Sequence, residues 1–444
     1  MNSHPFATRP DAGRPDAGHP DGDRPSAPGD PGGPRRWLSF AGAGMLVAVG
    51  YMDPGNWATA LAGGAAYGYR LLGVVIASSL MAMLLQWLAA RLGVVCGRDL
   101  AQLCREHYGR RTTVLLWIAA EIAIIACDVA EVVGAAVALQ LLLGVSLTAG
   151  VLLSAVGTLA MLALQRPGTR LLETVITTLI GFVGLCFVVE VALAQPDWRA
   201  ALAGTVPPPA LLRDAGMLWI AAGMLGATVM PHNLYLHGSL VRHLAAPRDD
   251  AAIRRALFGV NLDTFVSLSI AFVINAALLI VAAAVFHAHG HHDVTDLADA
   301  HRLIAPIVGN QWAGILFAAA LLACGLSATV TGTLAGQAVM EGFLALRLPR
   351  WQRALLTRSL AIGPALVAVG LYGQHGSNSL LVASQVVLSL QLPLAVIPLV
   401  RFTSDRALMG AWRVHGAALA AAWACTAIIL LLNGALIWQA ATGA

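Results

Sequence analysis

From about residue 38 to its end, the chain alternates long apolar runs with short polar connections, and the length of the runs predicts helices that cross a bilayer. A crossing needs about 20 residues at a rise of 1.5 Å each. Eleven runs reach that length, near 39–63, 71–95, 112–143, 148–164, 171–194, 216–242, 257–287, 305–343, 355–373, 378–401 and 411–439. Segments 3, 7 and 8 are long enough to tilt or to extend beyond the hydrocarbon.

Two of these runs are interrupted. In segment 1 the stretch MDPGNW, Met52 to Trp57, places an acid, a proline, a glycine and an amide inside an apolar helix. Pro54 withholds the amide that the carbonyl of Gly50 would accept and turns Asp53 away from helical geometry, so the helix is expected to break at mid-membrane. Segment 6 carries GATVMPHNLYLH, where Pro231 does the same to the carbonyl of Ala227 and to Met230. Irregular backbone at that depth is tolerated only where it is buried in protein or lines a hydrated cavity. Two interrupted helices five segments apart are the pattern of a transporter built from inverted repeats, with its site between the breaks.

Composition supports a polytopic membrane protein: 58% of residues are hydrophobic and 11% charged, and the mean hydropathy is +0.74. Every basic residue is arginine. Seventeen arginines lie in or beside the connections 2–3, 4–5, 6–7, 8–9 and 10–11, and only Arg70, Arg199, Arg213 and Arg302 lie in the alternate ones. The positive-inside bias then puts the N-terminus in the cytoplasm and, with an odd number of segments, the C-terminus outside. Residues 1–35, with the near-repeat RPDAGRPDAGHPDGDRP, read as a disordered cytoplasmic tail, and residues 36–444 as the transporter domain. Within it the repeats are expected at about 39–195 and 215–402, with an extra helix at about 411–439. The six cysteines lie in or at the ends of spans with no disulfide framework or metal-binding spacing.

The breaks offer a particular ligand set. Asp53 supplies a carboxylate, Asn56 an amide oxygen, and the freed carbonyls of Gly50 and Ala227 two neutral oxygens; a buried carboxylate there calls for a cation. Met230 adds a thioether, which gives little to magnesium or calcium but bonds to softer divalent ions, so the mixture points to a transition metal. Taken alone, Met230 reads as packing more readily than as a ligand.

These motifs resemble those of a known family. DPGN in segment 1 and MPH in segment 6 are similar to the signatures of the Nramp family of proton-coupled divalent metal-ion transporters. GLSATVTGTLAGQAVMEGF (residues 325–343) resembles its transport motif, and TRSLAIGPAL its ninth helix. The likeness spans about residues 36–440. It implies an all-α, LeuT-like fold of two inverted five-helix repeats plus an eleventh helix, and import of Mn²⁺ and related ions such as Fe²⁺ by alternating access. Metal ligation by Asp53, Asn56, Met230 and the Ala227 carbonyl is implied too, joined in an occluded state by the Gly50 carbonyl and Gln385. The metal is substrate and the proton the coupling ion, so no cofactor is expected. Nor is a nucleic-acid or obligate protein partner expected, and the location implied is a bacterial-type inner membrane.

Segment 3 holds Glu121, Asp128 and Glu131, whose spacings of seven and three put them on one helical face over roughly 15 Å. Such a stripe reads either as buried ion pairs with cytoplasmic arginines or as a proton route; the resemblance supports the route for Asp128 and Glu131. His232 could buffer charge beside the site and His237 is a second candidate. Arg358 in segment 9 is either a topology anchor or a partner for a segment 3 acid. The connection FHAHGHHDVTDLAD gathers His287, His289, His291 and His292 beside Asp293, Asp296 and Asp299, without fixed ligand spacing.

Two other functions compete. An amino-acid symporter of the same fold would need a pocket for a carboxylate, which Asp53 would repel. An enzyme would need a catalytic motif, and the chain has no HExxH, GxSxG or phosphate-cradling loop.

Overall fold

The computed structural model describes residues 42–163, 171–244, 249–346 and 350–442, without the side chains of 162, 163, 350, 351, 353–358, 361 and 368–378. The expected tail lies outside the described residues. No strand occurs among those described. The chain opens with α1 (Ala43–Gly50) and α2 (Pro54–Tyr67), followed by α3 (Leu72–Cys96), α4 (Leu100–His107) and α5 (Arg110–Leu143). Next come α6 (Leu147–Ala163), α7 (Leu171–Ala194), α8 (Trp198–Ala203), α9 (Ala215–Thr228) and α10 (Pro231–Val241). The remainder is α11 (Asp250–Val285), α12 (Leu297–Val308), α13 (Gln311–Leu344), α14 (Arg350–Ser404), α15 (Arg406–Met409) and α16 (Gly416–Thr442).

Eight helical stretches among the described residues are long and apolar enough to cross a membrane, against eleven expected segments. The difference has local causes. Segment 1 is split into pieces of 8 and 14 residues, and its second piece runs on through a 3₁₀ turn into α3. Segment 4 forms α6, a helix of 17 residues. Segments 9 and 10 fall within one helical element, α14, whose Ser379–Ser404 portion is the qualifying span. Segment 8 also starts later than expected. Residues 297–308 form the separate amphipathic α12, with Leu297, Ala298, Ala300 and Ile304 buried, closed by Gly309 in the left-handed region at φ 73°. Asn310 then caps α13 by accepting from the Trp312 N–H at 2.9 Å.

Long helices surround the broken ones. α5, α11 and α13 have 34, 36 and 34 residues, about 50 Å each, and so exceed the roughly 30 Å hydrocarbon slab. Small residues bring them close. A side chain at Gly134 on α5 would collide with the ring of Pro54, and one at Gly44 would meet the backbone of Asp263 on α11 at 2.8 Å. Trp57 on α2 wedges between Phe187 on α7 and Phe317 on α13, with ring centroids 5.1 Å apart in both pairs. The start of α1 is held by Asp263, whose carboxylate accepts from the N–H groups of Gly44 (2.6 Å) and Gly42 (3.2 Å).

At one end of the bundle an ion pair between the buried Asp99 and the half-buried Arg242 ties α10 to α4. Asp99 caps α4, accepting from the Gln102 N–H at 2.9 Å while Gln102 Oε1 accepts from the Asp99 N–H at 3.1 Å. Its second oxygen meets Arg242 Nη1 at 2.9 Å. Burial pushes the Asp99 carboxyl up to about 6, against the Gln102 hydrogen bond and the Arg242 guanidinium, which pull it down. A carboxyl raised above its ordinary range favours the folded state while protonated, and that contribution is lost as pH rises through about 6. Asp99→Asn removes the titration. Its melting temperature relative to wild type should therefore be more favourable at about pH 7.5 than at about pH 5, measured by thermal unfolding in detergent; an equal or reversed difference would show that the Arg242 pairing outweighs burial.

Candidate functional site

Both breaks form where the prolines demand them. α1 stops at Gly50 and α2 starts at Pro54, with Asp53 as its cap; α9 stops at Thr228 and α10 starts at Pro231, with Met230 at the cap position. The backbone polar groups between the half-helices are re-satisfied by short-range bonds. The N–H groups of Tyr51, Met52 and Asp53 donate three residues back to Ala48 (3.1 Å), Val49 (3.1 Å) and Gly50 (3.3 Å). The Gly50 carbonyl is therefore not left free, as the proline alone would suggest: the turn tightens from an i−4 to an i−3 pattern. The Tyr51 carbonyl is met by Asn275 Nδ2 from α11 at 2.7 Å.

Asp53 and Asn56 are buried and joined to the second break. Asp53 Oδ1 accepts from the Asn56 backbone N–H at 2.9 Å and from Asn56 Nδ2 at 2.7 Å. The same Nδ2 donates to the Ala227 carbonyl at 3.0 Å, so this carbonyl too is occupied. One NH₂ group thus bridges a carboxylate of the first break and a carbonyl of the second, the place a cation would take. Turning the amide over would present Asn56 Oδ1 to that point instead, and three oxygens could then converge on one ion. Asp53 Oδ2 has no hydrogen-bond partner among the described residues.

Met230 is fully buried and packs with Ala123 and Cys127 of α5 and Leu388 of α14. Its sulfur receives Asn233 Nδ2 at 3.5 Å. Asn233 also approaches the first break, since a side chain at Gly50 would meet its Nδ2 at 2.5 Å. Gln385 on α14 lies against both breaks: added side chains at Gly55 and at Gly226 would collide with its side chain and its backbone carbonyl respectively. Gln385 Oε1 is buried without a hydrogen-bond partner among the described residues. Beside the breaks, Tyr51, Thr228 and Asn275 help line a cavity of about 10 Å³, room for at most one water. The set mixes one carboxylate with amides, carbonyls and a thioether. No group of three or more His, Cys, Asp or Glu able to hold a metal occurs among the described residues.

The acids of α5 separate by depth. Asp128 and Glu131 are buried, whereas Glu121 is half-buried and accepts from Trp117 Nε1 at 3.0 Å. Gly332 on α13 makes room for the inner two, since a Cβ there would lie 3.0 Å from both Asp128 Oδ1 and Glu131 Oε1. The pair also adjoins the breaks: Gly134, against Pro54, is one turn from Glu131, and Cys127, against Met230, directly precedes Asp128.

The histidines part company. His232 is buried two residues past Met230, with Nδ1 lacking a hydrogen-bond partner among the described residues. His237 instead faces α3 and α11. Its Nδ1 lies 2.9 Å from Gln86 Oε1, Gln86 Nε2 donates to the Tyr51 hydroxyl at 2.7 Å, and Thr264 Oγ1 lies 3.4 Å from His237 Nε2. Arg358 lies in α14, and its side chain, with any pairing it makes, is outside what the structure describes. Asn233, Asn275 and Gln86 escape a reading of the sequence because single amides in apolar helices carry no spacing signal. So does Glu190 on α7, 2% exposed, with neither carboxylate oxygen hydrogen-bonded among the described residues.

Comparisons with known proteins bear on the family and the fold. The chain is 52% identical over 409 residues to a divalent metal cation transporter MntH of Ralstonia nicotianae, covering 92% of each. The structure superposes on a mutant manganese transporter of Eremococcus coleocola with a TM-score of 0.83 at 37% identity, covering 92% of this chain and 87% of that one. A more distant likeness, to MhsT in complex with L-phenylalanine (TM-score 0.60, 15% identity, 88% and 98% covered), shows the shared LeuT-like fold alone. Residues 44–439 match the family described as natural resistance-associated macrophage protein-like, and with half its sequence shared with the Ralstonia transporter, the chain belongs to the Nramp family.

Proposed function

We propose that the protein imports divalent transition-metal ions, Mn²⁺ first and Fe²⁺ with it, together with protons, by alternating access. The observation that carries this reading is the Asn56 amide bridging Asp53 and the Ala227 carbonyl, which joins the two helix breaks through the groups an ion would use. On this reading the ion is held by Asp53, Asn56, the Ala227 carbonyl and Met230, with the Gly50 carbonyl and Gln385 joining when the site closes. Its charge replaces the amide hydrogens as the partner of the buried carboxylate. The thioether favours softer ions over calcium and magnesium. A carboxylate-bearing solute, the alternative cargo for this fold, would meet Asp53 as a like charge.

Protons would leave the site along α5. Asp128 and Glu131 are buried within a turn of residues that pack on the breaks, so a proton arriving beside the metal has acceptors close at hand. His232 adjoins the metal, Glu121 lies further along the same face, and Arg358 would complete the exit. His237, bound to Gln86, serves better to hold α10 against α3 than to carry protons. The arginine bias places the N-terminus in the cytoplasm and the C-terminus outside, in a bacterial inner membrane. The repeats then run over about 39–195 and 215–402.

Three outcomes test the scheme in proteoliposomes. Asp53→Ala should abolish manganese uptake while the protein still folds, as it removes the carboxylate at the break; uptake at the wild-type rate would refute the site. Met230→Ala should retain much of the manganese uptake but admit calcium or magnesium, because only hard oxygen ligands remain. Calcium exclusion equal to wild type would make Met230 a packing residue only. Asp128→Asn and Glu131→Gln keep shape while removing titration, so manganese binding should persist as metal-driven acidification of the lumen falls. Acidification like wild type in both variants would assign the protons to another route.

A further inference from the structure

The histidine-rich connection after α11 folds into a defined pair. His287–His289 form a 3₁₀ turn, Gly290 turns through the left-handed region at φ 80°, and the His291 N–H donates to the Phe286 carbonyl at 2.9 Å. The reversal lays His292 over His287, with ring centroids 4.5 Å apart and the two Nδ1 atoms at 3.1 Å. His287 Nδ1 also lies 2.8 Å from the Ala65 carbonyl near the end of α2. Its ring covers Gly68, where a Cβ would meet it at 2.9 Å.

These distances fix the tautomers. A carbonyl only accepts, so His287 Nδ1 carries the proton; His292 Nδ1 faces that same N–H and so presents a lone pair, with its own proton on Nε2. The second nitrogen is therefore already set for a Lewis acid. Once the His287 ring turns its Nδ1 away from the Ala65 carbonyl, bonds of about 2.0–2.1 Å to two nitrogens kept 3.1 Å apart would enclose about 100°, near the tetrahedral angle. His289 is engaged elsewhere, its Nδ1 donating to the Val285 carbonyl at 2.9 Å. The half-buried His287 and the exposed His292 leave the remaining positions to water.

We propose that His287 and His292 form a second metal site for an imidazole-preferring divalent ion of the zinc, cobalt or nickel class, and that filling it releases the turn from α2. A metal and a proton cannot share His287 Nδ1. On binding, the His287 proton passes to Nε2 and the Nδ1–H bond to Ala65 is lost, with no net change in protons. The site lies about 18 Å along α2 from Asp53 and is separate from the ion site at the breaks. Manganese, which prefers oxygen ligands, would fill it poorly, so the site distinguishes a competing ion from the cargo.

The test uses the full chain, free of any affinity tag, in detergent. Asp53→Ala silences the first site, and Co²⁺ is titrated with its visible absorption, which reports nitrogen ligation, as the readout. One Co²⁺ per chain should still bind, and adding His292→Ala, an exposed position that leaves the fold alone, should weaken it by more than about tenfold. Hydrogen exchange at the end of α2, around Gly64–Gly68, should quicken with Zn²⁺ in Asp53→Ala and not in the double variant. Loss of all Co²⁺ binding in Asp53→Ala alone, binding indifferent to His292→Ala, or unchanged exchange at α2 would overturn the proposal. His292→Ala alone should import manganese at the wild-type rate, so a failure of the second site is distinguishable from a failure of the first.

Discussion

A backbone carbonyl or amide stranded in hydrocarbon costs several kcal/mol, and the prolines at 54 and 231 strand such groups at the middle of two membrane helices. Much of the interior answers that constraint. Three consecutive i−3 bonds close the first break, Asn275 reaches across from α11 to the Tyr51 carbonyl, and Asn56 reaches across to the Ala227 carbonyl. The amides that repair the backbone also knit the two broken helices together. The Asn56 amide satisfies a carboxylate and a carbonyl at once, a task that a positive ion could also perform.

The surrounding helices make this arrangement affordable in space. Gly134, Gly332 and Gly226 lie where a larger residue would strike Pro54, the α5 acids or the Gln385 backbone. Close approach brings Asp128 and Glu131 within a turn of the residues that pack on the breaks. One helix thus packs on both breaks through Gly134 and Cys127 while carrying the carboxyls between them. A change in charge at Asp53 is felt one helix away, in a medium of low dielectric.

Both breaks were legible to within a residue, because proline acts on its own backbone and on the residue before it. Asp53, Asn56 and Met230 stand out in the sequence with them, being unlike their apolar neighbours. The contacts around these residues were not legible. Asn233 on Gly50, Asn275 on Tyr51 and Gln86 on His237 each depend on which helix faces which, and a lone amide carries no mark of its partner. The start of segment 8 was misplaced because α12 ends in apolar residues that continue the hydropathy of α13 across the Gly309–Asn310 turn.

The most direct test of a cation held between the two breaks is anomalous scattering from crystals grown with manganese, recorded at the manganese edge. The account predicts a single strong peak bounded by Asp53, Asn56, the Ala227 carbonyl and the Met230 sulfur, with the Asn56 amide turned so that its oxygen faces the ion, and no such peak in crystals of Asp53→Ala. A peak elsewhere along the chain, or one that persists without the Asp53 carboxylate, would contradict it.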